Sequence, residues 1–355
     1  MIADKLRRLD ALLKIKMKAR TVMQMKTVKY EEYEMKKTVL MFCLLTFAAT
    51  MFAGCGAAGE VRDNDKLSVV TTIFPAYDWV REIAAGNNEA EITMLLDNGV
   101  DLHSFQPTAD DIIKVASCDM FIYVGGESDA WVEDALKEAV NKDMVVINLL
   151  DVLGDSVKEE EIAEGMEAEK EDGEEGPEYD EHVWLSLKNA EIFCNRIAEE
   201  LCRIDPKNRD LYEANAKAYA SKLEALDKEY EAAVSTASLK TVLFGDRFPF
   251  RYMVDDYGLN YFAAFAGCSA ESEASFETIT FLAGKMDELS LPAILQTESA
   301  DGKLAQTVNE TTNAKNHQIL TLDSMQSVDE KAALEGTGYI EIMQKNLEVL
   351  KKAID

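Results

Sequence analysis

Two imidazoles in matching settings are the first chemistry this sequence offers. Three histidines occur in 355 residues, and His103 and His182 are the two that stand in comparable places. His103 lies in Asp101-Leu102-His103-Ser104-Phe105-Gln106-Pro107-Thr108. The apolar run Ile92-Thr93-Met94-Leu95-Leu96 before it reads as a short buried strand. Thr108, with Asp111 three residues on, reads as the capping box of a following helix. His182 lies in Tyr179-Asp180-Glu181-His182-Val183-Trp184-Leu185-Ser186, with a helix expected from about Ser186. Alone, each is an ordinary histidine in a connection. Two of them on loops that precede helices, one just past a strand end where open α/β sheets place ligands, point to a shared metal. Asp246, Glu298 and Asp323 add carboxylates just past other expected strand ends. A zinc hydrolase would need an open metal position and a general base. Glu181 is the one candidate base beside a histidine, and no His-Glu-x-x-His motif occurs.

Composition narrows the partners. The formal charge of −29 argues against nucleic acid and fits a body that handles cations or simply stays dispersed. Of the six cysteines, Cys43 and Cys55 sit in or beside an apolar leader. No Cys-x-x-Cys pair occurs among the rest. Cys194 and Cys202 are eight apart on an expected helix, about 12 Å along its axis and too far for a disulfide. All four of Cys118, Cys194, Cys202 and Cys268 read as buried small apolar residues.

The chain divides by pattern. Residues 1–34 read as an upstream extension, with Met35 the expected start. Residues 35–54 read as a signal: Met35-Lys36-Lys37, an uncharged run, then Phe52-Ala53-Gly54 before Cys55. Such a signal resembles that of bacterial lipoproteins, in which Cys55 would carry lipid; a short membrane anchor is the other reading. Residues 55–66 form a tether, 67–187 a first lobe, 188–238 connecting helices and 239–355 a second lobe. Within the first lobe, 155–181 is strongly acidic and is expected to be a solvated, disordered loop, with a weak cation collector as the sharper alternative. In both lobes apolar β-branched runs alternate with helical spacing, which predicts parallel sheets covered by helices. Asn208 to Ser235 holds neither proline nor glycine and predicts one long helix able to join two lobes as a rigid spine. The expected class is therefore α/β, two lobes of small, mostly parallel sheets joined by one long rigid helix.

Several separated motifs together resemble the metal-binding subunits, periplasmic or lipoprotein, of bacterial zinc and manganese ABC importers. They are Val70-Thr71-Thr72-Ile73-Phe74-Pro75, His103 with Phe105, Pro107 and Thr108, Glu181-His182-Val183-Trp184-Leu185-Ser186, Tyr252 with Tyr257-Gly258-Leu259, and Leu322-Asp323. The match spans roughly residues 67–353, besides the leader. It implies a cation held between the lobes, with His103 and His182 as the first two ligands and Asp323 as the fourth. The family's third ligand, histidine or glutamate, aligns from Tyr252 with Arg247, which cannot ligate metal. A shift of one residue puts Asp246 there, the preferred candidate, with Glu298 as the alternative. Two imidazoles and two carboxylates suit zinc first, then manganese or iron. The resemblance further implies a permease and ATPase as partners, an outer-face lipid anchor, a monomer and no enzymatic activity. The remoter readings are a zinc hydrolase and an adhesin stabilised by metal.

Overall fold

The computed structural model describes residues 66–97, 99–167, 179–269 and 273–355. The leader, Cys55 and residues 168–178 of the acidic segment lie outside them.

The first lobe is a parallel sheet of β1 (Leu67–Thr71), β2 (Ala90–Met94), β3 (Met120–Tyr123) and β4 (Val145–Asn148), in the order β2-β1-β3-β4. Its helices are α1 (Phe74–Ile83), α2 (Ala109–Ser117), α3 (Trp131–Lys137) and α4 (Leu149–Leu153). Pro75 follows the first strand by four residues. It occupies the first turn of α1, where its missing N–H costs nothing. Thr108 and Asp111 form the expected capping box at the start of α2. Long connecting helices follow, α5 (Leu187–Ile204) and α6 (Arg209–Thr236).

The second lobe repeats the plan with β5 (Thr241–Phe248), β6 (Asn260–Ala266), β7 (Ala293–Thr297) and β8 (Gln318–Leu322), in the order β6-β5-β7-β8. Its helices are α7 (Arg251–Tyr257), α8 (Phe276–Leu289), α9 (Lys303–Thr311), α10 (Glu330–Leu334) and α11 (Tyr339–Ile354). β5 runs further than the sequence pattern predicts. It continues through Gly245-Asp246-Arg247, with an irregular register against β6 between Phe244 and Arg247.

One apolar core joins the lobes. The α6 stripe Tyr212, Ala216, Tyr219, Leu223, Leu226, Tyr230 and Val234 is buried along one face, at the three- and four-residue spacing a helix needs. This core continues from Val69 and Ile122 of the first sheet to Val242 and Phe244 of the second. Leu243, between those two, points to the other face and belongs to a smaller core with Leu282, Met286 and Val308. At the standard rise α6 is about 42 Å long. α11 closes the fold against α6: the Tyr230 hydroxyl donates to the Met343 carbonyl at 2.6 Å.

Asp78 ties the two ends of the fold together. This buried carboxylate on α1 pairs with Arg81 and accepts the Tyr339 N–H at 2.7 Å, at the start of α11. Arg81 in turn donates to the Ala333 and Thr337 carbonyls. Asp78→Ala is therefore expected to lower stability by about 2–4 kcal/mol, since it strands a buried N–H and an arginine. Urea unfolding followed by circular dichroism would measure it, and an unchanged midpoint would remove Asp78 from this role.

Candidate metal centre

His103 stands on a single turn, Leu102–Ser104, capped by Asp101. Asp101 Oδ1 accepts the His103 N–H at 3.0 Å. The ring's Nδ1 lies 2.7 Å from Ser128 Oγ and 3.6 Å from Glu181 Oε2. Ser128 is itself oriented, its N–H donating to Glu181 Oε1 at 3.0 Å. Gly126 makes room for that carboxylate: a Cβ there would lie 2.3 Å from Glu181 Oε1, and its φ of +79° is one that side chains avoid.

His182 is fully buried at the start of the turn Val183–Leu185. Its backbone N–H and its Nδ1 both donate to Asp180 Oδ1, at 2.8 and 3.0 Å. Two residues on, Trp184 Nε1 donates to the Ser324 carbonyl at 2.9 Å, and the Tyr339 hydroxyl donates back to the Trp184 carbonyl at 2.7 Å. The turn is thus locked to the second lobe. With both Nδ1 atoms engaged on their own partners, the two Nε2 atoms face each other at 3.3 Å. Neutral rings protonated at Nδ1 present two lone pairs there, an arrangement that attracts a cation.

The second lobe brings a third ligand-type side chain to the pair. His103, His182 and Cys268 offer ligand atoms that all lie within 4.8 Å of one another. Cys268 is not the buried apolar residue expected from sequence. Cys118, Cys194 and Cys202 are buried, whereas Cys268 is partly exposed on the turn after β6. Gly267 permits this approach, because a Cβ on it would meet the Phe248 carbonyl oxygen at 2.9 Å and His182 Cε1 at 3.0 Å.

The expected carboxylates fare differently. Asp246 is not aimed at the histidines: its Oδ2 accepts the Thr297 N–H at 2.8 Å and the Thr297 hydroxyl at 2.6 Å. The irregularity in β5 absorbs the extra residue and commits Asp246 to β7. Arg247 reaches the cleft instead and donates to Asp101 Oδ2 at 3.1 Å and to the Ser269 carbonyl at 3.4 Å. Glu298 is taken up by the turn after β8, accepting N–H groups of Ser324, Gln326 and Ser327 and the Ser324 hydroxyl. Asp323 stands just past β8, with its Oδ1 accepting the Met325 N–H at 2.8 Å. His317 lies apart, its N–H donating to Asn309.

Burial dominates the electrostatics of the cleft. Burial raises the pKa of Asp129 to about 7, with the Glu181 charge adding to it. Burial and the neighbouring Glu298 raise Asp323 to about 6. Burial also lifts Glu160 and Glu181 above the usual carboxylate range. His103 is pushed down to about 3 by burial and by His182. In His182, burial is outweighed by the hydrogen bond to Asp180 and by nearby carboxylate charge, so its pKa is raised. The Cys268 thiol is held well above its ordinary value by burial and by Glu160, Asp180 and Glu181.

The described part of the acidic segment is fastened rather than free. Glu159 bridges to Tyr179, and the Lys158 N–H donates to the Tyr252 hydroxyl at 3.0 Å. Glu160 Oε1 accepts the Cys268 N–H at 2.9 Å, and Glu161 pairs with Arg251. Glu167 accepts from Ser275 N and Thr278 Oγ1. The segment therefore straps over the second lobe beside the histidine pair. Its charge pattern read as solvated because the sequence does not disclose these partners.

Two like lobes with ligand atoms converging between them define a two-lobed binding protein. The chain belongs to the family described as zinc-uptake complex component A, periplasmic (ZnuA), whose match runs over residues 69–353. The zinc-binding protein AdcA of Streptococcus pyogenes serotype M3 is 30% identical over 331 residues, covering 90% of this chain and 62% of AdcA. This chain thus spans about three-fifths of the length of those AdcA relatives. The high-affinity zinc uptake system protein ZnuA of Bacillus subtilis is 29% identical over 321 residues and is covered to 96%. Among solved structures, the Zn(II)-bound ZnuA-like domain of Streptococcus pneumoniae AdcA superposes with a TM-score of 0.64 at 28% identity, over 82% of this chain and 99% of that domain.

Gly267→Ala tests how tightly the turn after β6 presses on His182. The substitution is expected to shift the His182 imidazole resonances and to cost about 1–3 kcal/mol through overpacking. Unmoved resonances would show that the contact does not hold the ring.

Proposed function

We propose that this protein captures a zinc ion between its lobes outside the cytoplasmic membrane and delivers it to the permease of an ABC importer powered by a cytoplasmic ATPase. The observation that carries the reading is the pair of Nε2 atoms 3.3 Å apart, each ring oriented by a partner on its other nitrogen. Membership of the zinc-uptake family supports the choice of cargo and of partner class. His103 and His182 are the imidazole ligands. Asp323 supplies a carboxylate from the second lobe, and its burial just past the end of β8 supports this. The lipid-bearing residue is Cys55, which holds the protein at the outer face of the membrane as a monomer. The protein works as a carrier rather than as an enzyme.

Metal and proton compete for the same nitrogen atoms, so binding weakens as acidification protonates the histidines, His182 before His103. The test is competitive titration of zinc and manganese into metal-free protein, repeated with His103→Ala. One zinc per chain, preferred over manganese and weakened by more than about 100-fold by the substitution, is expected. Absence of tight binding of either metal would sink the proposal. Preference for manganese would change the cargo and keep the class.

Asp180 acts through His182 rather than on the metal. Asp180→Asn replaces a carboxylate acceptor with a weaker amide and should reduce zinc affinity by about 10–100-fold without unfolding the chain. Calorimetry alongside the melting temperature measures both. Unchanged affinity would mean that the Asp180 contact does not set the ring's basicity.

A further inference from the structure

We infer that Cys268 is the third ligand of this site, a thiolate standing in for the imidazole or carboxylate that related receptors place after the first strand of the second lobe. The inference rests on the metal-capture reading above and names the donor that reading left open. The position aligned with the usual third ligand holds Arg247, which has no lone pair to give. Arg247 has another task. Its guanidinium joins Asp101, which caps the His103 turn, to the Ser269 carbonyl, next to Cys268. The side chain that displaced a ligand thereby draws a new ligand-bearing turn toward the histidines.

Three further observations converge on the same sulfur. Its Sγ is grouped with ligand atoms of His103 and His182 within 4.8 Å. The turn is held from both sides: Gly267 lets it touch the His182 ring, and Glu160 accepts the Cys268 N–H. The topology also supplies a parallel. Cys268 follows β6, the edge strand beside β5, as His103 follows β2, the edge strand beside β1. The two lobes thus present one donor each from equivalent loops. Cys118, Cys194 and Cys202 are buried elsewhere and share none of these features.

The chemistry has a consequence for selectivity. Binding replaces the S–H bond with a sulfur–metal bond, and the proton passes to solvent. Two imidazoles and a thiolate, with Asp323 as an oxygen donor, form a four-ligand set suited to zinc, whereas manganese favours oxygen donors. Cys268 is therefore a specificity-determining residue as well as a ligand.

Cobalt(II) serves as the spectroscopic probe, on the intact protein and on Cys268→Ser. The intact protein should show a near-ultraviolet thiolate-to-cobalt charge-transfer band, and Cys268→Ser should lack it. The same substitution should weaken zinc binding by more than about 100-fold while changing manganese binding little. Cobalt bound without the charge-transfer band, or zinc affinity kept in Cys268→Ser, overturns the inference and leaves the metal-capture reading standing. Failure of the intact protein to bind zinc at all would instead overturn that reading. Should Cys268→Ser fail to fold, alkylation of the unaltered protein with iodoacetamide decides. Zinc should protect Cys268, mapped by mass spectrometry, and a chelator should restore its labelling. Equal labelling with and without zinc counts against ligation.

Discussion

Two ring nitrogens with lone pairs, held 3.3 Å apart, are an unfavourable arrangement unless a proton or a cation lies between them. Much of the surrounding structure serves to hold that arrangement. Asp180 grips His182 by its backbone and its ring. Ser128 and Glu181 face the outer nitrogen of His103. Gly126 admits the Glu181 carboxylate, and Gly267 admits the turn beside His182. Partners on the far nitrogens fix which nitrogen each ring offers, and Asp180 also makes His182 more basic, so the donors are set before a metal arrives.

Such a site needs a scaffold that does not relax away from it. Here the apolar core is continuous from the first sheet, through α6 and α11, to the inner face of the second sheet. Trp184 and Tyr339 connect the His182 turn to the second lobe by hydrogen bonds, and Asp78 and Arg81 bind α1 to the approach and start of α11. The acidic segment adds a strap whose carboxylates meet backbone N–H groups and arginine around the Cys268 turn. In a chain this negative, each engaged carboxylate is one fewer repelling its neighbours.

The inferred ligand set illustrates how one substitution can be absorbed by a neighbour. An arginine at the end of β5 removes a donor, yet its length and charge let it link the His103 turn to the turn after β6. The donor is then drawn from the adjacent strand of the same sheet. Nothing in the parallel topology forbids this, since the carboxyl ends of neighbouring strands open onto one crevice.

Local interactions were legible in the residues themselves. The capping box of α2, the unbroken apolar stripe of α6 and the alternation of strands and helices depend on spacings of a few residues, which a sequence displays directly. His103 and His182 were legible as a candidate pair for the same reason, each marked by its loop and helix-start context. The third donor was not. Whether Asp246 or Cys268 faces the histidines depends on an irregularity in β5 and on packing between segments more than 50 residues apart. A carboxylate one residue from the expected position looked apt on chemistry, but Thr297 had claimed it. A cysteine among apolar neighbours looked inert, because pattern alone does not show which side chain a turn carries across a cleft. The sequence by itself determined the elements and marked the two imidazoles; tertiary packing decided which ligand atoms converge, because convergence is a property of distance in space.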